Sequence, residues 1–312
     1  WLVKFPGTTR NLQGGVPSYT TAPVSEWLGS HVYAALGIPV HETVLGIRDG
    51  RIVCACRDFT FPDSRLVNFH DLKNSLSDDE PGFTEDASTG SGVVLADVRS
   101  AIHRIPVLRS IDGVSDRFWD MFVVDAFIRN IDRNNTNWGV LRNPRGEFSL
   151  APVYDNGDSF NNKRTDSGIE RRLADPDLIR QDALDVRSCY VTDRGKPIAP
   201  LKYLASGQDE ECTKALDRFM ERYDPRSFHD LLGSIPSMSH GLTVVPDGFH
   251  EYHRRVCDYR YEHAFMEAWR DLHPTVGVPS SPEASVPEPL PDPDPSVLPS
   301  SSVPTCFDGP GM

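Results

Sequence analysis

The segment that most narrows the fold runs from Asp116 to Asp158, where helical periodicity gives way to a polar loop and then to two short strand-like runs. Phe118, Trp119, Phe122, Val123, Ala126 and Phe127 recur at spacings of three and four and make a broad apolar face, which predicts a buried helix. The run Ile-Arg-Asn-Ile-Asp-Arg-Asn-Asn-Thr-Asn-Trp-Gly-Val-Leu follows, residues 128–141. Trp138–Arg142 and Glu147–Val153 then read as strands joined across Asn-Pro-Arg-Gly. A polar loop held between a buried helix and a hairpin is fixed at both ends and can present its side chains in a set geometry.

Asp132 and Asn137 have the Asp-x-x-x-x-Asn spacing of a phosphoryl-transfer loop, in which the Asp accepts the proton of the acceptor hydroxyl and the Asn binds magnesium. Asp155, at a strand end and two residues before Gly157, stands where the metal-binding Asp of an Asp-Phe-Gly turn would stand. A hard oxygen ligand there can bridge magnesium to phosphate. The hairpin is expected to return Asp155 beside Asn137. Either short motif alone occurs by chance in many proteins; the order helix, loop, hairpin, second carboxylate is what gives the pair weight.

The N-terminal third reads as strand, helix, strand, strand. Trp1–Phe5 is a strand and Gly7–Tyr19 a polar loop. Pro23 opens a helix with Trp27, Leu28, Val32, Ala35 and Leu36 on one face, ended by Gly37 and Pro39. Val40–Ile47 and Arg51–Phe59 are strands joined at Asp49-Gly50, a hairpin signal. Lys4 lies in the first strand and Glu26 on the first turn of the helix. A strand Lys oriented by a helix Glu can hold the phosphates of a nucleotide. The alternative is a Lys whose head reaches solvent and a Glu that favours a helix N-terminus. Further helices are expected at Glu210–Tyr223, Arg226–Leu232 and Phe249–Leu272, the folded part closing near Leu272.

These segments together resemble the HipA-like serine/threonine kinases: Trp-Leu-Val-Lys-Phe-Pro, Ser-Glu-Trp-Leu-Gly-Ser-His-Val-Tyr, Leu-Gly-Ile-Pro-Val-His-Glu-Thr, Asn130–Asn137 and Tyr154–Gly157. Val-Cys-Ala-Cys-Arg-Asp-Phe, residues 53–59, and Leu72–Ser75 resemble the compact CtkA-like branch. The resemblance implies an α+β, two-lobed protein-kinase-like fold, with a small β-rich N-lobe and a larger mainly helical C-lobe. The N-lobe and hinge would span 1–60, the helical C-lobe 61–273, and a disordered Pro/Ser-rich tail 274–312. It implies ATP and Mg²⁺ as cofactors, and a protein Ser or Thr as acceptor, the chain itself being one candidate. It further implies that Cys56, Arg57, Asp58 and Phe59 form the hinge against which adenine lies, through their backbone, and that the location is the bacterial cytoplasm, with secretion left open.

Two departures stand out. A Gly- and Ser-containing phosphate loop precedes the Lys strand in that family, and the sequence opens at Trp1, so the N-lobe reads as incomplete at its start. Asn130-Ile131-Asp132 stands where other kinases carry His-Arg-Asp, as the resemblance leads one to expect.

The remaining sequence excludes more than it adds. The net charge of −13 argues against a broad nucleic-acid surface. No apolar run approaches the roughly 20 residues of a membrane span. The six cysteines show no Cys-x-x-Cys pair and read as reduced packing thiols, with Cys54 and Cys56 on the same side of one strand. Gly82–Gly92 lacks the Lys-Ser/Thr of a P-loop and reads as a surface loop. His253 and Cys257 share a helix face at a spacing that could hold zinc, but no second ligand pair is evident, and packing is the simpler reading. Asn156–Ser206 occupies the place of an activation segment and is rich in Ser, Thr and charge, open to regulation by phosphorylation or merely solvated. A nucleotide-binding pseudokinase and a kinase of small hydroxylated molecules remain as other readings of the same centre. The residues name neither the substrate nor a regulatory or antitoxin partner.

Overall fold

A computed structural model describes residues 1–7, 20–75 and 92–274. Most of the Gly7–Tyr19 loop, the run from Gly82 to Ser91 and the chain beyond Pro274 lie outside these. The elements in order are β1 (Leu2–Lys4), α1 (Ala22–Ala35), β2 (Thr43–Arg48), β3 (Arg51–Cys56), β4 (Arg65–Asn68), α2 (Phe69–Asn74), β5 (Val93–Val94), α3 (Leu95–Arg104), α4 (Pro106–Arg109) and α5 (Val114–Ile128). There follow β6 (Gly139–Arg142), β7 (Phe148–Leu150), α6 (Asp166–Leu173), α7 (Pro176–Leu184), β8 (Tyr190–Val191), α8 (Pro200–Ser206), α9 (Glu210–Arg222), α10 (Pro225–Gly233), β9 (Met238–Ser239), β10 (Leu242–Thr243), α11 (Phe249–Arg260) and α12 (Met266–Leu272).

The first sheet has the order β1-β3-β2, all antiparallel, with Lys4 opposite Cys54 and Arg48 opposite Arg51. Asp49 and Gly50 both take positive φ, +52° and +67°, as a tight turn that matches strand twist requires. Helix α1 packs against β2 and β3. It begins where Pro23 can occupy the first turn without losing a hydrogen bond. Glu26 is the fifth residue of α1, just past the first turn on which the sequence reading placed it, and it is buried.

Helix α5 runs through the main core. All six residues of the predicted apolar face are at most 2% exposed, because α5 is covered by α3, α8, α9 and α11. Burial of each of its Phe and Val side chains contributes about 1.5–3 kcal/mol. Beyond α5, β6 pairs with both β4 and β7. The strand β4 and the helix α2 after it were not legible beforehand; Gly139 is what lets β6 approach, since a Cβ there would sit 2.2 Å from the Val67 carbonyl oxygen.

The predicted helix over Phe249–Leu272 is one rod broken by a π-helical turn at Tyr261–Phe265. Within Asn156–Ser206 the structure places α6, α7 and α8, so that stretch is substantially helical. Among the described residues the five cysteines are free and buried, as expected of packing thiols. No helix of the described residues is long and apolar enough to cross a membrane.

Candidate active site

Lys4 emerges from β1 with its ammonium between two carboxylates. Its Nζ donates to Glu26 Oε2 at 2.8 Å and to Asp155 Oδ1 at 2.7 Å. The reading in which Lys4 reaches only into solvent therefore does not hold. Burial opposes the charge on Lys4, but Glu26 and Asp155 outweigh it and hold its pKa above the ordinary lysine value.

Glu26 is itself held from three sides. His41 Nε2 lies 2.8 Å from Oε1, and the backbone N–H of Asn156 donates to Oε2 at 3.0 Å. Burial pushes the Glu26 carboxyl upward; the His41 hydrogen bond and the Lys4 charge more than offset this and bring its pKa down to about 2. Asp155, the partner on the other side of Lys4, has a φ of +59° and a half-exposed side chain. That backbone region is costly for a non-glycine residue and recurs where a site imposes it. Helix α1 comes close enough to position the turn because residue 29 is glycine: a Cβ there would lie 2.8 Å from Asn156 Cβ.

The loop after α5 supplies the second group. Asn137 Nδ2 donates to the Asp132 carbonyl at 2.7 Å and reaches the Asp132 carboxylate Oδ2 at 3.4 Å, while Asn134 Nδ2 donates to Oδ1 at 2.8 Å. Asn130 Oδ1 accepts from the Asp132 N–H at 3.2 Å. Partial burial raises the Asp132 pKa above the ordinary value, with a contribution from the neighbouring carboxylates Asp158 and Asp155.

The two groups are joined by a residue that sequence reasoning did not single out. Arg133 is 2% exposed, and its guanidinium meets Asp125 of α5 at 2.8 and 3.2 Å, the Asn137 carbonyl at 2.9 Å, Asn156 Oδ1 at 2.6 Å and the Tyr154 carbonyl. One buried cation thus fixes the Asp132–Asn137 loop against the Tyr154–Asn156 turn. Asp125 is completed by the Tyr33 hydroxyl at 2.8 Å and Asn130 Nδ2 at 3.1 Å. An Asp within the apolar run of α5, eight residues before an Arg, was the available signal. His41 was missed as well; it stands in a segment that reads as plain strand.

A cleft of about 390 Å³ opens over Lys4 and Asp155. Its walls include Leu2, His41, Cys56–Thr60, Leu66 and Tyr154, so Cys56, Arg57, Asp58 and Phe59 all line it. The Phe59 and Tyr154 rings lie 5.5 Å apart, and the Tyr154 hydroxyl is 3.0 Å from both Asn68 Oδ1 and the Thr136 carbonyl. The Arg57 N–H is engaged by the Glu42 carbonyl; among the described residues the amides of Asp58 and Phe59 have no intramolecular acceptor. A larger cavity of about 720 Å³ between Arg51, Arg164–Ser167 and Leu242–Pro246 contains none of the predicted residues, so size does not locate the chemistry. His253 and Cys257 are buried; burial brings the His253 pKa down to about 3, and among the described residues no third metal donor joins them.

No family model matches the chain. It is similar to the serine/threonine-protein kinase CtkA of Helicobacter pylori strain J99, 32% identical over 244 residues that make up 77% of this chain and 71% of the relative. The crystal structure of the H. pylori proinflammatory kinase CtkA superimposes with a TM-score of 0.73 at 28% identity, over 86% of each chain. A HipA, HipB and operator DNA complex of a Shewanella oneidensis MR-1 toxin–antitoxin system aligns with a TM-score of 0.44 at 12% identity, over 86% of this chain and 59% of that one.

Proposed function

This chain belongs to the family of the serine/threonine-protein kinase CtkA, with the α+β kinase fold of that family, and we propose that it moves the γ-phosphoryl group of ATP onto a protein Ser or Thr with Asp132 as base. Family membership makes it a phosphotransferase that uses a nucleotide and a metal. The finer assignments are our reading of the site.

The observation that carries this reading is the single ammonium of Lys4 set between Glu26 and Asp155 at the floor of the cleft. A cation there meets the phosphates of a nucleotide whose base lies along Cys56–Phe59. The Asp58 and Phe59 amides are donors for the adenine edge, and Leu2, Phe59, Leu66 and Tyr154 offer apolar contact to its faces. Glu26, locked by His41 and the Asn156 amide, keeps Lys4 from swinging out.

Asp132 takes the proton of the acceptor hydroxyl as the oxygen attacks phosphorus. Its raised pKa makes it a stronger base than an exposed carboxylate. Asn134 and Asn137 hold that carboxylate in one orientation, which keeps the acceptor in line with the phosphorus. Asn137 Oδ1 and the Asp155 carboxylate are oxygen donors that suit a hard divalent ion, and Arg133 ties their two segments together through the Asn137 and Tyr154 carbonyls. Bound there, Mg²⁺ would offset the negative charge that develops on the phosphoryl oxygens.

Thermal-shift titration with ATP, with and without Mg²⁺, followed by radiolabel transfer to protein and to sugar acceptors, tests the proposal. Metal-dependent labelling of protein is the expected result. Binding without transfer would favour a pseudokinase, and labelling confined to sugars a small-molecule kinase.

A further inference from the structure

Among the described residues, one group of three metal-binding side chains converges, and it is not the Asp155–Asn137 pair. Glu26, His41 and Cys56 offer a carboxylate oxygen, an imidazole nitrogen and a thiol sulfur, all within 4.8 Å of one another and all buried. We propose that Glu26, His41 and Cys56 form a zinc-type transition-metal site at the inner wall of the nucleotide cleft, and that a metal there and a nucleotide exclude each other. The consequence for catalysis rests on the kinase reading above; the metal site itself does not.

The donor chemistry selects the ion. A thiolate with an imidazole suits Zn²⁺ or Co²⁺ and poorly suits the hard Mg²⁺, which prefers oxygen. The geometry is close to what such an ion needs. Ligand bonds of about 2.0–2.3 Å at tetrahedral angles put donor atoms roughly 3.3–3.8 Å apart. The His41 Nε2 to Glu26 Oε1 separation is 2.8 Å, a hydrogen bond, so this pair must open by about half an ångström to admit an ion in place of the shared proton. The rest of the cluster must close by up to about one ångström. Cys54 lies two residues before Cys56 on the same face of β3 but is not among the converging donors, so water would complete the tetrahedron. Binding releases the Cys56 thiol proton to water, and the His41 proton facing Glu26 moves to Nδ1, which leaves a neutral imidazole to ligate through Nε2.

Access is through the cleft, since His41 and Cys56 line it beside Lys4. The same placement sets the effect. A dication on Glu26 Oε1 repels the Lys4 ammonium that uses Oε2 of the same carboxylate, and so weakens the contact that orients Lys4. It also occupies the wall on which the nucleotide lies. The bland alternative is that His41 only positions Glu26 and that the thiols only pack; it predicts no metal affinity above that of other surface groups.

Co²⁺ is the probe, because thiolate ligation gives it a charge-transfer absorption and tetrahedral geometry gives it intense visible bands. The full chain under reducing conditions should bind one Co²⁺ with both signatures, displaced by Zn²⁺ and suppressed by ATP. Cys56→Ser should lose the charge-transfer band and about 100-fold or more in affinity, more than the 10–100-fold cost of losing an outer-shell partner. Cys54→Ser, which leaves all three ligands in place, should keep the charge-transfer band. Circular dichroism and ATP thermal shifts of each variant separate a lost ligand from a misfolded chain. Zn²⁺ should inhibit phosphoryl transfer by the wild type at concentrations that leave Cys56→Ser at its own zinc-free rate. Octahedral, thiolate-free Co²⁺ spectra unchanged by Cys56→Ser would overturn the site, whether or not the chain transfers phosphate. Tetrahedral binding indifferent to ATP would overturn mutual exclusion.

Discussion

Replacing Arg133 by Met tests the idea that one buried cation assembles the site. The side chain keeps most of its length and apolar stem but loses every contact to Asp125, Asn137, Tyr154 and Asn156. The Asp125 carboxylate would remain buried with only Tyr33 and Asn130 as donors. Removing one partner of a buried ion pair costs about 3–5 kcal/mol, since the remaining charge stays desolvated. Set against the roughly 5–15 kcal/mol by which a domain is stable, this is a large fraction. For a domain of this size it corresponds to a melting temperature about 6–20 °C lower, at 2–4 °C per kcal/mol. Denaturant unfolding of Arg133→Met, Asp125→Leu and the double variant measures the pair term directly. The double variant should be less destabilised than the sum of the singles by at least about 2 kcal/mol, because no orphaned charge is left. Additive singles, or an Arg133→Met within 1 kcal/mol of wild type, would refute the staple.

Two further outcomes are expected. Glu26 is held from the ordinary 4.5 down to about 2, a folded pKa below the unfolded one, so its stabilisation is present above pH 4.5 and lost as pH falls toward 2. The gap in unfolding free energy between wild type and Glu26→Gln should be about 3 kcal/mol near neutrality and close on acidification; a gap independent of pH would contradict the assignment. Gly29→Ala should push α1 from the Asn156 turn, costing about 1–3 kcal/mol and lowering transfer, whereas Gly46→Ala, with open space around it and no positive φ, should stay within about 0.5 kcal/mol of wild type. A neutral Gly29→Ala would show that the turn is not positioned by α1.

What was legible beforehand followed from strong local signals. Helix α5 has a sustained apolar period, the Asp49-Gly50 turn has the residues that tolerate positive φ, and Asp132, Asn137, Asp155, Lys4 and Glu26 stand in an order that matches a known catalytic layout. The structure brings Lys4, Glu26 and Asp155 into contact and, separately, Asp132 and Asn137. What was not legible depends on tertiary placement. Arg133 sits among polar loop residues and reads as solvated until Asp125, Tyr154 and Asn156 close around it. His41 reads as part of a strand, and only the approach of α1 shows that it grips Glu26. Helices α2, α4, α6 and α8 are four to eight residues long, too short for a period to register. The π-turn in the last helix leaves no mark on a spacing of three and four.

The central claim is that Asp132 accepts the acceptor proton while other residues hold the nucleotide. Asp132→Asn keeps the size of the side chain and removes its basicity. Single-turnover transfer from radiolabelled ATP, measured beside nucleotide affinity, decides the matter. We expect transfer to fall by about 10²–10⁴-fold with ATP affinity within a few-fold of wild type. Undiminished transfer by Asp132→Asn, or a loss matched by an equal loss of ATP binding, would contradict the account.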